Sequence, residues 1–341
     1  MGQLSFFDEE NRMAKISKLG DPLERLDKVI DWKKFVPLLN KAMKKEKKET
    51  GRPHYPYLMM FKILIVQRLY NLSDEQMEFQ LNDRRTFSRF VGLEAGNSIP
   101  DAKTIWLFRD TLTKSGKIDK IFDKFNEQLE KEHIITRRGS IVDATFVEAP
   151  IQHNTPDENK KIKEGQTPES WEEAEKAHKK SQKDVDARWT KKGDDTYYGY
   201  KDHVKVDAES KIIISYETTP ANVHDSRVFL SLLDNKDRKV YADSAYWSKE
   251  IEKLLPELCE CQVHEKGSRY VKLTELQQLS NRMKSKIRVR VEHVFGFMTN
   301  SMHGLTLRSI GLARAKFNVA LTNLVYNMCR YETIKRYAAE S

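Results

Sequence analysis

Ser140-Ile141-Val142-Asp143-Ala144-Thr145-Phe146 alternates with period two: Ile141, Asp143 and Thr145 project to one face, and Val142, Ala144 and Phe146 to the other. Gly139 and Pro150 bound the run, so it reads as a short strand, and a domain boundary is expected near residue 136. Toward the C-terminus three more strands are expected, at Tyr197–Asp207, Lys211–Thr218 and Arg238–Asp243, with a helix at Asp225–Leu233 between the last two. Strands, helix and strand in that order describe an α/β sheet. A short apolar piece at Cys259–Val263 adds a last strand. From about Leu273 long helices follow, ending with the apolar stripe Leu312, Ala315, Val319, Leu324 and Met328. One stretch is open on periodicity: Ile287, Val289 and Val291 alternate like a strand, whereas Val294, Phe295 and Met298 have helical spacing.

Toward the N-terminus, residues 21–133 read as helices. Asp21-Pro22-Leu23-Glu24 offers a cap, a first-turn proline and a capping-box glutamate ahead of Leu26, Val29 and Ile30. After the turn-prone Gly51-Arg52-Pro53, an apolar helix is expected at about Tyr57–Asn71, and Ser73-Asp74-Glu75-Gln76 caps the next. Helices at about Ser73–Leu81, Asp83–Val91 and Asp101–Thr113 have the order of a helix-turn-helix-like unit, with Lys103, Thr104, Trp106 and Arg109 on or near the exposed side of the last. An ordinary bundle with a solvated polar face fits the same pattern. Residues 152–195 are dense in Lys, Glu, Asp and Gln, and read as a charged mobile connection with a solvated helix at Pro168–Lys183. The expected domains are therefore a helical 1–135 and an α/β 136–341.

Composition narrows the function class. With 60 Lys+Arg against 51 Asp+Glu in 341 residues, the net charge is +9, which raises the expectation of a polyanionic partner. Cys259, Cys261 and Cys329 are too few for a disulfide framework, and Cys-x-Cys lacks the second pair a zinc site needs. The expectation is a reduced, cytoplasmic chain. Met1–Glu10 has no signal-like pattern, and the richest apolar run, Leu58 to Val66, is interrupted by Lys62 and too short for a bilayer, so secretion and membrane insertion are not expected.

Phosphoryl transfer on DNA needs carboxylates on rigid elements, because two hard cations about 3.5–4 Å apart activate the attacking oxygen and stabilise the leaving one. Asp143 lies in the first strand and Asp243 ends Val240-Tyr241-Ala242-Asp243, positions that converge on one crevice in an open α/β sheet. If the segment around Glu292 is helical, Arg288 sits one turn before it on the same face, where an arginine can hold a phosphate. Taken singly, each acid has a surface charge or a cap as its commoner explanation. Lys201, His203 and Lys205 share one strand face that can meet phosphates, and His224 with Asp225 either caps a helix or stands at the rim of the acidic site.

Several motifs carry a resemblance when taken together. They are Tyr198-Gly199-Tyr200-Lys201-Asp202-His203, Thr219-Pro220-Ala221-Asn222-Val223-His224-Asp225-Ser226, Ala242-Asp243-Ser244-Ala245-Tyr246 and Arg290-Val291-Glu292-His293-Val294-Phe295-Gly296. Gly20-Asp21-Pro22-Leu23, Ile141-Val142-Asp143-Ala144-Thr145, Arg308-Ser309-Ile310-Gly311-Leu312 and Asn323-Leu324-Val325-Tyr326-Asn327 extend the match over nearly the whole chain. In this order they resemble the bacterial insertion-sequence transposases of the IS-five family. The resemblance implies an RNase H-like catalytic fold in 136–341, with Asp143, Asp243 and Glu292 as its DDE triad and metal ligands, and Glu292 on a helix. It further implies two Mg²⁺ or Mn²⁺ ions, double-stranded DNA partners (terminal inverted repeats and target) and a homodimer or higher oligomer on paired ends. The DNA contacts it implies are Arg288, Lys201 and His203; His224 at the rim of the site, and Lys103 and Arg109 on the helix-turn-helix-like unit, are candidates from their positions alone. One departure stands out: Thr299 and Asn300 occupy the neighbourhood, two turns after Glu292, where the family pattern often has a lysine. An RNase H-like nuclease or resolvase would use the same carboxylates without an end-binding domain, and a transposase-derived DNA-binding protein would not need them.

Overall fold

In a computed structural model describing residues 8–44, 54–94, 96–171, 182–246, 259–265, 267 and 272–340, Ser140–Glu148 forms a strand, β1. The others are Arg188–Lys192 (β2), Asp195–Asp207 (β3), Ile213–Pro220 (β4), Lys239–Ala242 (β5) and Glu260–Cys261 (β6). They build one mixed sheet in the order β2-β3-β1-β5-β6. The outer edge of β3 is shared: β2 pairs with Asp195–Gly199, and β4 with Tyr200–Val206. The central pairing is antiparallel between β1 and β3 and parallel between β1 and β5 and between β5 and β6. A helical N-terminal region followed by this mixed sheet with flanking helices fits an RNase H-like fold.

The chain divides into two compact units, Met1–Lys124 with Leu324–Ser341, and Phe125–Asn323. By packing, the division falls inside the helix Ile118–Lys131, and the end of the long helix Leu312–Glu340 groups with the helical unit. In that unit the starts expected at Asp21, Ser73 and Asp101 are present, although Asp21 caps the Leu23 N–H and Glu24 pairs with Lys28 and Arg89 instead of closing a capping box. Ser73 and Gln76 form a reciprocal capping box, and Asp101 accepts the Thr104 N–H at 2.7 Å. Helices Tyr57–Leu69, Asp74–Asp83, Arg85–Val91 and Ala102–Ser115 follow the expected order. Tyr57–Leu69 buries Met59–Phe61 and Ile63–Gln67, as its apolar run on either side of Lys62 requires. Arg109 departs from its expected exposure. Its two terminal nitrogens donate to both Asp74 oxygens at 2.7 and 2.6 Å, and one also reaches Gln67 Oε1 at 3.1 Å, so it clamps three helices together. Lys103 and Trp106 are exposed, Trp106 at 46%.

In the sheet unit, Val142, Val240 and Ala242 pack with Val228, Phe229, Leu232, Tyr246 and Val263 on one face. Val147, Ala149, Ala187, Tyr200, Leu307, Ala315 and Val319 form a second cluster toward the far end of β1. Gly199 in β3 has φ +145°, and a Cβ there would stand 2.2 Å from the Val147 carbonyl oxygen, so the chains approach more closely than any side chain allows.

The charged connection expected at 152–195 is ordered at several points. Thr155 and Glu158 cap the helix Pro156–Lys163, the fully buried Trp171 donates to Glu158 at 2.7 Å, and β2 joins the sheet. The buried Asp184 accepts from Tyr200 Oη at 2.8 Å and from the Ala187 and Gly311 N–H groups, each at 3.0 Å, which anchors the segment without an aliphatic core. Most of the helix expected at Pro168–Lys183, and Gly51-Arg52-Pro53, lie outside the described residues.

Candidate active site

β1 and β5 pair Ile141 with Tyr241 and Val142 with Ala242. One residue past the last of these pairs stand Asp143, in the middle of β1, and Asp243, just beyond β5, at the carboxyl end of the paired segment, where α/β folds open a crevice. Asp243 begins a tight turn. Its Oδ1 accepts the Ser244 N–H at 2.6 Å, and its carbonyl accepts the Tyr246 N–H at 3.0 Å.

The ambiguous stretch before Glu292 is helical. Helix Glu275–Arg288 runs through a 3₁₀ turn, Val289–Val291, into Glu292–Gly296, so the alternating valines mark a tightened turn rather than a strand. Val291, Val294 and Met298 are buried along its inner side. Lys284 Nζ donates to the Val263 carbonyl at 3.0 Å, and Ser285 Oγ meets His264 Nε2 at 3.2 Å, which pins this helix to the segment after β6. Arg288 Nη1 then donates to Asp143 Oδ2 at 2.8 Å. Glu292 is exposed one turn on. His264 Nδ1 lies 3.8 Å from Asp243 Oδ1.

The electrostatics tie the group together. Burial pushes the Asp143 carboxyl above its ordinary range; the Ala144 N–H and Arg288 pull it down, and Glu292 pushes it up again. Burial also lowers His264, with Arg288 adding to the effect, so the imidazole tends to stay neutral beside Asp243. The carboxylate donors are the hard oxygens that Mg²⁺ or Mn²⁺ takes, and the mutual repulsion of Asp143 and Glu292 is what a cation relieves. The donor set therefore fits a divalent cation. Among the described residues, no three His, Cys, Asp or Glu side chains stand close enough to ligate one ion together. The fit accordingly rests on the neighbouring pair of aspartates, with Glu292 coupled through charge and Arg288 supplying positive charge at Asp143.

Three residues expected on a phosphate-facing strand surface are placed otherwise. Lys201, His203 and Lys205 do share a face, but it lies inside the unit. Lys201 donates to Asp225 at 2.7 Å and to the Val223 carbonyl at 3.0 Å. His203 is fully buried against Thr219 Oγ1 at 2.9 Å, with its pKa lowered by burial to about 4, and Lys205 is buried between Asp234 and Asp237. Polar alternation suggested a wet face because sequence does not show that acids from the next loop cover it. His224 is exposed and accepts the Ser226 N–H at 3.3 Å, which is the capping role. Thr299 and Asn300 stand exposed in a π-helical turn, Phe297–Ser301. Reasoning from sequence alone missed His264, which no motif marks, and Tyr246, which closes the quoted run Ala242–Tyr246.

Among the described residues, no helix is long and apolar enough to cross a membrane. A solved piggyBac transposase synaptic complex with hairpin DNA is similar at 12% identity and a TM-score of 0.48, over 94% of this chain and 76% of that one. A transposase domain model, DUF772, matches residues 10–111. The transposase DDE domain model matches residues 135–328, more than half of the chain, and carries both aspartates, Arg288 and Glu292. The chain belongs to the DDE-domain transposase family.

Proposed function

We propose that this chain is an insertion-sequence transposase, with motifs in the order of the IS-five group, that cuts DNA at the ends of its element and joins the freed ends to target DNA. One observation carries the reading: Asp143 and Asp243 each stand one residue past the last parallel pair of β1 and β5, with Arg288 on Asp143 and Glu292 one turn beyond. Asp143, Asp243 and Glu292 are the catalytic acids and would hold Mg²⁺ or Mn²⁺. Bound divalent cations supply Lewis-acid stabilisation of the attacking and leaving oxygens.

The residues do the rest. The carboxylates would hold the divalent cations at fixed positions on rigid elements, and Arg288 keeps Asp143 ionised and offers positive charge to a phosphate. Water attacks the phosphorus at the element end as the P–O bond to the 3′ oxygen breaks, and that oxygen takes up a proton; the same 3′ hydroxyl then attacks a target phosphodiester, giving up its proton as the bond to the target's own 3′ oxygen breaks and that oxygen is protonated. The helical unit binds the terminal inverted repeats, with exposed Lys103 as its leading phosphate contact, and two or more copies pair the ends. The net charge of +9 supports a DNA partner, and the composition supports a cytoplasmic protein.

The test is Mg²⁺-dependent cleavage and strand transfer on DNA carrying the element's ends. Asp143→Asn, Asp243→Asn and Glu292→Gln are expected to abolish both activities and to leave end binding intact. Full cleavage by any one of these purified variants overturns the assignment.

A further inference from the structure

Between Leu276 and Val291, the helix and 3₁₀ turn that lead to Glu292 carry five cations, Arg282, Lys284, Lys286, Arg288 and Arg290, and no acid. Three of them are engaged by the protein. Lys284 donates to the Val263 carbonyl at 3.0 Å, Arg288 to Asp143 at 2.8 Å and Arg290 to the Ala208 carbonyl at 2.7 Å. Arg282 and Lys286 are exposed and have no hydrogen-bond or ion-pair partner among the described residues. They stand four residues apart on one side of the helix, where like charges destabilise it. Exposed lysines on other helices have an acid one turn away, as Lys28 has Glu24 and Lys114 has Asp110. The helix dipole accounts for Lys286, in the last turn, and not for Arg282, one turn earlier.

The two side chains line a groove of about 640 Å³ together with Gln278, Asn281, Ser285 and Val289. Ser285 Oγ meets His264 Nε2 at 3.2 Å, and His264 Nδ1 lies 3.8 Å from Asp243 Oδ1, so the groove borders the acidic site. Four residues of helix span about 6 Å, and the ten from Arg282 to Glu292 about 15 Å. An anion that answers this arrangement carries charges repeated every few ångströms along a line that reaches the carboxylates. A DNA strand, with one phosphate per ~3.4 Å of axis, has that pattern, whereas a free phosphate or a single acidic side chain has not.

We propose that Arg282 and Lys286 form a track for the DNA strand that enters the acidic site, holding two phosphates within about five nucleotides of the scissile one. The inference rests on the function proposed above and adds to it the path of the substrate backbone. Such contacts carry no base preference, because cations on phosphates fix position and not sequence.

The experiment compares the full-length wild type, a groove variant with Arg282→Gln and Lys286→Gln, and a control with Lys28→Gln and Lys114→Gln. The control removes the same charge from exposed lysines that are paired with acids. Binding to duplex DNA carrying the element's ends is followed by fluorescence anisotropy across a salt series. The groove variant should keep the wild-type melting temperature, while its slope of log affinity against log salt falls by about 2, one unit per phosphate. The control should leave that slope unchanged. With DNA trimmed stepwise on either side of the scissile phosphate, the difference between wild type and groove variant should vanish once trimming on one side removes the phosphates about three to five nucleotides away. An unchanged slope, a slope that falls equally in the control, or a difference that survives trimming on both sides overturns the inference. An unchanged slope with loss of self-association assigns the face, whose neighbours Leu276, Leu279 and Met283 are exposed, to contact between protein chains and overturns it as well. All of these results leave the proposed function standing. Wild-type protein with no affinity for end-bearing DNA at low salt overturns the proposed function, and this inference with it.

Discussion

Arg288 Nη1 donates to Asp143 Oδ2 at 2.8 Å across 145 residues of sequence, joining the middle of β1 to the helix that carries Glu292. The pair is partly shielded, with side-chain exposures of 24% and 17%, so the guanidinium acts on Asp143 more strongly than a surface ion pair would. It holds a carboxyl that burial pushes upward.

Removing that cation should show in the pH profile. In Arg288→Gln, the Asp143 pKa rises further, since burial and Glu292 are then opposed by the Ala144 N–H and Lys192 without the guanidinium. The ionised carboxylate is the active form, so a higher pKa withdraws it at higher pH. The acid limb of the cleavage profile should move toward alkaline pH, and Arg288→Lys should move it less. An unchanged acid limb in Arg288→Gln would show that Asp143 does not depend on this partner.

Gly199 is expected to tolerate no side chain. Its φ of +145° is costly for any L residue, and an added Cβ meets the Val147 carbonyl oxygen at 2.2 Å and Ala149 N at 2.7 Å. Gly199→Ala should cost on the order of 3 kcal/mol, read as a fall in the midpoint of denaturant unfolding. Wild-type stability in this variant would mean that β1 and β3 can separate there at little cost.

Much of the fold was legible because its signals are local. The period-two run at Ile141–Phe146, the apolar Tyr57–Leu69 and the caps at Ser73 and Asp101 each need only neighbouring residues to be read. The neighbouring placement of Asp143 and Asp243 also followed, because one lies within a strand and the other ends one. What resisted reading was set by distant partners. Arg109 looks like a surface cation until Asp74, 35 residues away, is seen to take both its terminal nitrogens. Lys205 looks like the wet side of a strand until Asp234 and Asp237 are seen to enclose it. The order in 152–195 depends on Asp184 meeting Tyr200 and Gly311, which composition cannot show.

Arg109 and Lys103 should separate stability from recognition. Arg109→Ala breaks a two-pronged, partly buried bond to Asp74 and should cost on the order of 2 kcal/mol, seen as a lower melting temperature. Any loss of DNA binding should follow the unfolded fraction. Lys103→Ala, at an exposed position, should leave the melting temperature unchanged and weaken end binding, with the slope of log affinity against log salt falling by about 1. If Arg109→Ala retains full stability yet loses DNA binding, the clamp is the wrong description of that residue.

Asp202 should make stability fall as pH rises. It is fully buried on β3, with Asn323 Nδ2 donating to Oδ1 at 3.2 Å while Oδ2 has no partner, and burial raises its pKa to about 8. The folded chain therefore keeps a proton that the unfolded chain, with an ordinary carboxyl, releases near pH 4. A raised folded pKa contributes stability that is fully present below the unfolded value and lost as pH rises to the folded one. The loss runs from about pH 4 to about pH 8, at up to about 1.4 kcal/mol per pH unit. His203 acts in the opposite direction over a partly shared range: its folded pKa of about 4 means that stability is lost as pH falls below its ordinary value of 6.5. Asp202→Asn removes only the first dependence. It keeps an acceptor for Asn323 and brings donors that the unpartnered Thr218 hydroxyl and Asn323 Oδ1 can accept. The variant should therefore gain on the wild type steadily from pH 5 to pH 8 in melting temperature. A difference that stays constant across that range would show that Asp202 is ionised in the folded chain throughout.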